Sequence, residues 1–290
     1  MDDCKFLALK KGGRVAFCEY GSANGTPVLF FHGWPSSRTM AQLTHDSARE
    51  LGIRIISTDR PGIRDSTFQA NRRLIDWPEV VEQLADHLEI ENFRILAISG
   101  GAPYAFATAW KMPERVRAIA IVSGAAPIAE LRDRSGLLPL YRWMIWFGHN
   151  KPTLLRYLFR LAGPLVSLRG FVRSAHKLLR MLPSADAEAL RDNSAFDILF
   201  ESQRHAWRGS ADGVIADAQI YALPWGFPLE DVDVPVRLWH GKEDRAFSFR
   251  LVEETAARLQ NCVARYVDNE GHYSLPIRHI REVLADLIAA

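Results

Sequence analysis

The chain is poor in cysteine, and the cysteines that it has form no recognisable pattern. Cys4, Cys18 and Cys262 are the 3 cysteines among 290 residues, and no two of them have Cys-x-x-Cys spacing. Disulfide frameworks and structural zinc sites need paired cysteines at close or regular spacing. We therefore interpret all three as reduced thiols, and we expect neither a metal site nor a cysteine nucleophile.

An excess of charge of one sign is also absent. The formal net charge is +2, from 36 Lys and Arg residues against 34 Asp and Glu residues. Because nucleic-acid binding needs a strong basic excess or a reading module, no nucleic-acid partner is expected. No apolar run is long enough to span a bilayer, so no stable membrane insertion is expected. The acidic start Met1-Asp2-Asp3 lacks a signal-peptide layout, which predicts a cytoplasmic location.

What the chain does have is an alternation of apolar, strand-like segments with amphipathic, helix-like segments. The former are rich in β-branched and aromatic residues and indicate strands buried on both faces. These segments are Phe6–Leu9, Arg14–Tyr20, Pro27–Phe31, Ile53–Thr58, Arg94–Ile98, Arg117–Val122, Val234–Trp239 and Val263–Val267. The helix-like segments are Thr39–Leu51, Ile75–Leu88, Ala102–Lys111, Phe249–Leu259 and 276–289.

This alternation predicts an α/β fold with a mostly parallel, doubly wound sheet covered by helices. Lys10-Lys11-Gly12-Gly13 separates the first two strand segments and is typical of a hairpin. The sheet should therefore begin with an antiparallel edge.

The strand pattern disappears between Ala125 and Trp225, where the sequence becomes helical and aromatic. We predict a helical cap domain over residues 125–225, inserted into a discontinuous core domain of residues 1–124 and 226–290. Trp143, Trp146 and Phe147 are candidates for a hydrophobic pocket wall in this cap. The alternative is that they pack the cap onto the core.

A run of cations without a carboxylate follows in the same region. It comprises Lys151, Arg156, Arg160, Arg169, Arg173, Lys177 and Arg180. Solvated helix faces are the usual explanation of such a run, and a surface for a membrane or an acidic partner is the alternative.

The segment from Arg94 to Tyr104 is the most informative stretch, because an apolar strand runs directly into Ser99 and then into a helix. A turn that displays a serine in this way strains its backbone and needs small residues two positions before and two positions after it. Ala97 and Gly101 meet this requirement, although the usual pattern Gly-x-Ser-x-Gly has glycine at the first position. An ordinary strand-to-helix turn is the alternative, so other segments must decide.

Two further segments offer partners for Ser99. His272 follows the last predicted strand, and a histidine is a suitable base because its ordinary pKa lies near neutrality. Asp244 follows the strand that ends near Gly241 and would orient the imidazole, and its neighbour Glu243 is the alternative acid. Both loops leave the carboxyl edge of the sheet, which is where the Ser99 turn also emerges.

Negative charge on a carbonyl oxygen would need two N–H donors beside the serine. We expect the N–H of Gly100 to be one donor and the N–H of Trp34 to be the other. Trp34 lies in His32-Gly33-Trp34-Pro35, directly after an apolar strand. His32 is then expected to hold this loop rather than to act as a second base.

Ser99, Asp244 and His272 in this chain order, with His-Gly-Trp-Pro upstream and a helical insertion before the acid, resemble the α/β-hydrolase superfamily. The likeness covers nearly the whole chain. Epoxide hydrolases and haloalkane dehalogenases share His-Gly-x-Pro but use an aspartate nucleophile, which argues against both.

Two motifs are similar to those of the serine esterase, lipase and haloperoxidase-like branch. They are Asp59-Arg60-Pro61-Gly62 and the run from Ser99 to Ala105. Arg64-Asp65 depart from the pattern, since relatives often have a glycine there, before the serine. The resemblance implies an enzyme without a cofactor and a cap that shapes the substrate pocket.

Together these features predict a hydrolase that cleaves a small apolar or aromatic ester or lactone through an acyl-enzyme. Carbon–carbon bond hydrolysis, perhydrolysis and lyase chemistry are alternatives that the same three side chains support. A lipase acting at a lipid interface and a small-molecule receptor built on the same scaffold are further alternatives.

Overall fold

One sheet of eight strands forms the centre of the computed structural model, which describes residues 4–131, 133–168 and 182–290. The strands are β1 (Lys5–Ala8), β2 (Arg14–Gly21), β3 (Thr26–Phe31), β4 (Ile53–Thr58), β5 (Phe93–Ile98), β6 (Val116–Val122), β7 (Val236–Gly241) and β8 (Cys262–Val267). They lie in the order β1-β2-β4-β3-β5-β6-β7-β8. Every neighbouring pair from β4 to β8 is parallel.

The expected antiparallel edge is confirmed. Strand β2 is antiparallel both to β1 and to β4. The turn between β1 and β2 uses Gly12 and Gly13 with φ of +91° and +81°, a conformation that residues with a Cβ rarely adopt. The hairpin prediction from Lys-Lys-Gly-Gly therefore rested on a real conformational requirement.

Helices cover both faces of the sheet. The helices of the described chain are α1 (His45–Glu50), α2 (Trp77–His87), α3 (Ala102–Lys111), α4 (Pro139–Asn150), α5 (Pro152–Val166), α6 (Ser184–Ala189), α7 (Asn193–Trp207), α8 (Asp212–Tyr221), α9 (Phe249–Ala256) and α10 (Ser274–Ile288). The segment Thr39–Leu51, predicted as one helix, is divided into a 3-10 segment at Arg38–Thr44 followed by α1. Thr44 Oγ1 donates to the carbonyl of Ala41, a local bond that competes with regular helix geometry.

The apolar strands serve two separate cores because successive side chains point to opposite faces of a sheet. In β3, Leu29 and Phe31 enter one core, which α2 and α3 cover. Val28 and Phe30 enter the other, which α1 and α10 cover. Burial on both faces explains why these strands read as continuous apolar runs.

The helices α4 to α8 all lie between β6 and β7 in the chain, where the sequence showed no strand pattern. The division into a core and a cap domain stays a prediction. Of the predicted run of cations, Lys151, Arg156 and Arg160 are exposed. Arg169, Arg173, Lys177 and Arg180 lie outside the described residues. Within the described ranges, no helix has both the length and the apolar character needed to cross a bilayer.

Candidate active site

Ser99 occupies a sharp turn between β5 and α3, at the carboxyl edge of the sheet. Its φ is +51°, a left-handed conformation that is strained for a residue with a side chain. The chain can turn here because residue 101 is glycine. A Cβ at this position would lie 2.1 Å from the carbonyl oxygen of Phe31. Ala97, which replaces the usual glycine, is fully buried in β5. The fold therefore tolerates the extra methyl group at this position.

His272 and Asp244 both reach this turn from loops at the same edge. His272 Nε2 lies 3.0 Å from Ser99 Oγ, and His272 Nδ1 lies 2.8 Å from Asp244 Oδ2. Because an ionised carboxylate only accepts hydrogen bonds, Nδ1 carries the proton and Nε2 accepts one from the serine hydroxyl. The structure thus brings together three side chains that are distant in sequence.

Asp244 is itself held in place by the backbone that follows it. Its second oxygen, Oδ1, accepts hydrogen bonds from the N–H groups of Ala246 at 2.7 Å and Phe247 at 3.0 Å. The side chain is buried, so these donors replace the water that would otherwise solvate the carboxylate. Glu243, the alternative acid, is exposed and makes no contact with His272 within the described residues.

Burial opposes the charged forms of Asp244 and His272, but their mutual contact outweighs it. Burial alone would raise the pKa of Asp244, yet the charge of His272 and the bonds to the carboxylate hold this pKa below its ordinary value of 3.8. Burial alone would lower the pKa of His272, but the charges of Asp244 and Asp186 raise it above its ordinary value of 6.5. The imidazole is therefore a stronger base than an isolated histidine.

The loop after β3 passes directly over the serine turn. A Cβ on Gly100 would lie 3.2 Å from Trp34 N, so the two backbones approach as closely as glycine permits. In the described part of the chain, the N–H of Trp34 makes no hydrogen bond of its own. His32 Nδ1 donates to the carbonyl of Gly33 at 2.8 Å, and burial together with Arg60 lowers the pKa of His32 well below its ordinary value. His32 is thus a neutral residue within this loop.

A buried charge cluster that the sequence did not reveal lies behind the same loop. Arg60 donates to the carbonyls of His32 at 2.7 Å and Gly33 at 2.8 Å, and its Nε lies 2.7 Å from Asp217 Oδ2 on α8. Arg72 also pairs with Asp217. The motif Asp59-Arg60-Pro61-Gly62 was the available signal, but it does not name the partner of the arginine.

Tyr221 is a second residue that the sequence analysis missed. Its hydroxyl donates to the carbonyl of Gly100 at 2.8 Å, next to the serine turn. Tyr221 closes α8, the helix that also carries Asp217. One helix therefore holds both the loop after β3, through Arg60, and the turn at Gly100.

Arg64 and Asp65, which differ from the family pattern, are accommodated by the local structure. Arg64 has a φ of +48°, which is the left-handed conformation that a glycine would adopt without strain. Asp65 receives a hydrogen bond from Arg38, which also pairs with Asp59. Burial raises the pKa of Asp59 to about 6 despite this partner.

Two narrow cavities flank Ser99, and each has about 40 Å³ of free space. The first is mostly apolar, and its lining includes Gly100, Ala125, Ile128, Tyr141, Met144, Ile145, Ala218, Tyr221 and Phe247. The second lies beside His272, and its lining includes Gly33, Trp34, Met40, Leu199, Gln203 and Tyr273. Because a cavity needs roughly 10–15 Å³ of such space to hold one water molecule, each cavity accepts only a small group.

The predicted pocket wall at Trp143, Trp146 and Phe147 stays a prediction. The lining of neither cavity includes any of the three. Trp143 is 42% exposed and Trp146 is 54% exposed, so they lie on the outer face of α4. The rings of Trp143 and Trp146 each pack against that of Phe147. The inner face of the same helix carries Tyr141, Met144 and Ile145 instead.

Across residues 4–131, 133–168 and 182–290, no three His, Cys, Asp or Glu side chains converge in a way that could hold a metal ion. The polar groups that converge near Ser99 are instead the imidazole of His272 and the backbone of two loops.

Known proteins are similar to this chain in sequence or in fold. A hydrolase of Bacillus subtilis called YcgS, itself uncharacterized, is 27% identical over 274 residues, which is 90% of this chain and 89% of that protein. A bromoperoxidase from Bacillus anthracis has a TM-score of 0.74 at 16% identity, covering 99% of both chains. An enol-lactonase from Burkholderia xenovorans has a TM-score of 0.71 at 13% identity, covering 99% of this chain and 100% of that chain.

Structural similarity at such low identity establishes the fold alone. The family model of the alpha/beta hydrolase fold, however, matches residues 26–275, which include Ser99, Asp244 and His272. The chain therefore belongs to the α/β-hydrolase fold family.

Proposed function

We propose that the protein is a serine hydrolase that cleaves carboxylic esters or lactones through an acyl-enzyme. The observation that carries this proposal is the hydrogen-bonded chain from Ser99 through His272 to Asp244, with contacts of 3.0 Å and 2.8 Å. A serine hydroxyl becomes an effective nucleophile when an oriented imidazole accepts its proton. Asp244 supplies that orientation and stabilises the imidazolium.

Acylation begins when Ser99 Oγ attacks the carbonyl carbon and His272 Nε2 takes the hydroxyl proton. The carbonyl oxygen becomes an oxyanion, which the N–H groups of Trp34 and Gly100 stabilise. The intermediate then collapses, the bond to the leaving oxygen breaks, and His272 gives its proton to the departing alcohol. A lactone opens in the same way, except that the alcohol stays attached to the acyl group.

Deacylation repeats these steps with water as the nucleophile. His272 removes a proton from the water, the resulting hydroxide attacks the acyl carbon, and the same two N–H groups stabilise the second oxyanion. When the bond to Ser99 Oγ breaks, His272 returns the proton to the serine. The products are a carboxylic acid and an alcohol, or a hydroxy acid from a lactone.

The size of the site supports a small substrate. Each cavity beside Ser99 has about 40 Å³ of free space, which suits a short acyl group on one side and a short alcohol on the other. The structural relative named as an enol-lactonase is in keeping with a cyclic ester as substrate. We therefore expect acetyl esters and small lactones to be better substrates than esters of long fatty acids.

Replacement of the nucleophile tests the proposal. In Ser99→Ala, hydrolysis of p-nitrophenyl acetate should fall by roughly a millionfold or to the background rate, because the attacking oxygen is gone. A fluorophosphonate probe should label the unaltered protein at Ser99 and fail to label this variant. Circular dichroism and thermal unfolding would show whether the variant remains folded.

Ser123→Ala is the matched control. Ser123 is also buried at the carboxyl end of a strand and also has a positive φ, of +48°, but it contacts neither His272 nor Asp244 in the described chain. It should keep both turnover and labelling. Ester turnover or labelling that persists in folded Ser99→Ala would refute the acyl-enzyme proposal.

A further inference from the structure

A buried carboxylate that the proposed mechanism does not use lies beside the His272 loop. Asp186 on α6 is 1% exposed, and no Lys or Arg of the described residues pairs with it. Its oxygens instead accept three backbone hydrogen bonds, from His272 N at 3.1 Å and from Tyr273 N and Ser274 N at 2.8 Å. An unpaired carboxylate is costly to bury, so these three bonds compensate for lost hydration.

The position of Asp186 relative to α10 explains part of this arrangement. Ser274 begins α10, and the first N–H groups of a helix have no partner within it. A carboxylate at this end satisfies those groups and also interacts favourably with the helix dipole. Helix capping alone, however, does not require the carboxylate to bind the N–H of His272, which precedes the helix.

The loop is shaped to admit the carboxylate. A Cβ on Gly271 would lie 2.5 Å from both oxygens of Asp186, so no other residue fits there without a shift of the loop or the helix. On the opposite side, a Cβ on Gly241 would lie 2.2 Å from the carbonyl oxygen of Glu270. The segment that leads to His272 is therefore held between the end of β7 and the side chain of Asp186.

We propose that Asp186 is a positioning residue for His272, which it holds in reach of Ser99 while its negative charge favours the imidazolium formed during catalysis. This inference rests on the proposed serine hydrolase function and extends it to α6. The segment between β6 and β7 thereby supplies part of the catalytic apparatus, in addition to the walls of the cavities. Asp186 acts by binding the backbone N–H of His272 and by the effect of its own charge on the imidazole. It does not itself touch the reacting atoms.

The charges around His272 determine the direction of the expected effect. The carboxylate of Asp244 contacts the imidazole, and that of Asp186 contacts the backbone N–H of the same residue. Tyr141, Tyr273 and His240 are further titratable groups near this contact. Burial lowers the pKa of His272, whereas first Asp244 and then Asp186 raise it. Removal of the charge of Asp186 should therefore lower this pKa.

Asp186→Asn is the central test, because it removes the charge and one acceptor oxygen while the volume is nearly unchanged. We expect kcat for p-nitrophenyl acetate to fall roughly tenfold to a hundredfold, since small displacements of a catalytic group have effects of this size. KM should change little. The acidic limb of the kcat/KM profile should move to lower pH, an effect that a purely structural role would not produce.

Asp192→Asn is the matched control. Asp192 caps α7 in a similar way, with Oδ1 accepting from Ser194 N at 2.8 Å and Ala195 N at 3.4 Å, but it has no contact with His272. This variant should keep the kcat and the pH profile of the unaltered protein. Asp186→Ser adds a second test, because a serine hydroxyl can still accept a hydrogen bond but carries no charge.

An NMR titration of the His272 ring tests the inference without measuring turnover. If the unaltered protein hydrolyses no ester, the proposed function fails. A lower titration midpoint of the His272 ring in Asp186→Asn would still support the effect of Asp186 on His272. An unchanged midpoint together with unchanged kcat in a folded Asp186 variant would overturn the inference. Failure of both Asp186→Asn and Asp186→Ser to fold would also overturn it, since the carboxylate would then serve stability alone.

Discussion

Ser99 shows how one residue is displayed at the expense of local backbone energy. A left-handed conformation costs a residue with a side chain about 1–2 kcal/mol relative to glycine. The φ of +51° at Ser99 is held by the packing of Gly101 against β3 and of the following helix against the sheet. The strain is therefore maintained by the surrounding fold.

Substitution at Ser99 should make this strain measurable. Ser99→Gly should be more stable to urea than Ser99→Ala by about 1 kcal/mol, because glycine adopts a positive φ readily and alanine does not. Both variants should be inactive. Equal unfolding midpoints for the two proteins would mean that the turn relaxes once the hydroxyl is gone.

In the proposed mechanism, the pH dependence of turnover is a property of His272. The base must be neutral to accept the proton of Ser99, so kcat/KM should fall as the pH drops through the pKa of His272. Because Asp244 and Asp186 outweigh burial and raise this pKa, the midpoint of the acidic limb should lie above 6.5. A midpoint below that value would contradict the charge arrangement described above.

The sequence predicted single residues whose position is determined by adjacent segments of the chain. Ser99 could be predicted because the strand, the small neighbours and the helix are consecutive in the chain. His272 and Asp244 could be predicted because each follows a strand that ends at the same edge. Asp186 and Asp217 could not be predicted in this way. Each lies in an ordinary helix, and its partners come from distant segments.

Helix α4 illustrates how an element was predicted while its orientation was not. The aromatic residues Trp143 and Trp146 drew attention, but they point outward. The inner face has the spacing of three and four residues that a helix presents to a neighbour, at Tyr141, Met144 and Ile145. Helical phase was therefore a better guide to the cavity than aromatic content.

Met144 provides a test of this orientation. Met144→Ala should widen the cavity beside Gly100, and kcat/KM for the octanoyl ester relative to the acetyl ester should rise by about tenfold, since a methylene group in a pocket is worth 1–3 kcal/mol. Trp146→Ala on the outer face is the control and should leave this ratio unchanged. The same gain in both variants would indicate loosening of the helix rather than a wider cavity.

In the molecule as a whole, the ion pairs of Asp217 connect α8 to segments from the first third of the chain. Arg60 and Arg72 both pair with it, and Tyr104 OH donates to it at 2.8 Å. All four side chains are buried. Burial alone would raise the pKa of Asp217, but the two guanidinium groups hold it below 3.8. The mostly parallel sheet and its antiparallel edge could be predicted from the sequence, whereas this connection depends on the final packing.

Asp217→Asn should destabilise the protein by about 3–5 kcal/mol, because the variant leaves two buried guanidinium groups without their counter-charge. Asp212→Asn on the same helix removes the half-buried partner of the exposed Arg160 and should cost about 1 kcal/mol or less. Urea unfolding of both variants would measure the difference.

The effect of Asp217→Asn on the free energy of unfolding should also depend on pH. Because the pKa of Asp217 is lowered on folding, its stabilising contribution is complete above the unfolded-state pKa and is lost as the pH falls through the folded-state pKa. The difference in unfolding free energy between the unaltered protein and Asp217→Asn should therefore narrow only in acid. If this difference stays constant while the pH falls through the folded-state pKa, the result would argue against an ionised Asp217.

The distance in sequence between Ser99 and its base has a consequence for synthesis on the ribosome. The two residues are 173 positions apart, and the His272 loop is fixed only when α6 and α10 meet. A nascent chain that has already formed the serine turn thus still lacks the imidazole that, in the proposed mechanism, activates its hydroxyl. Newly made protein should remain inert toward electrophilic metabolites until its last helix has docked.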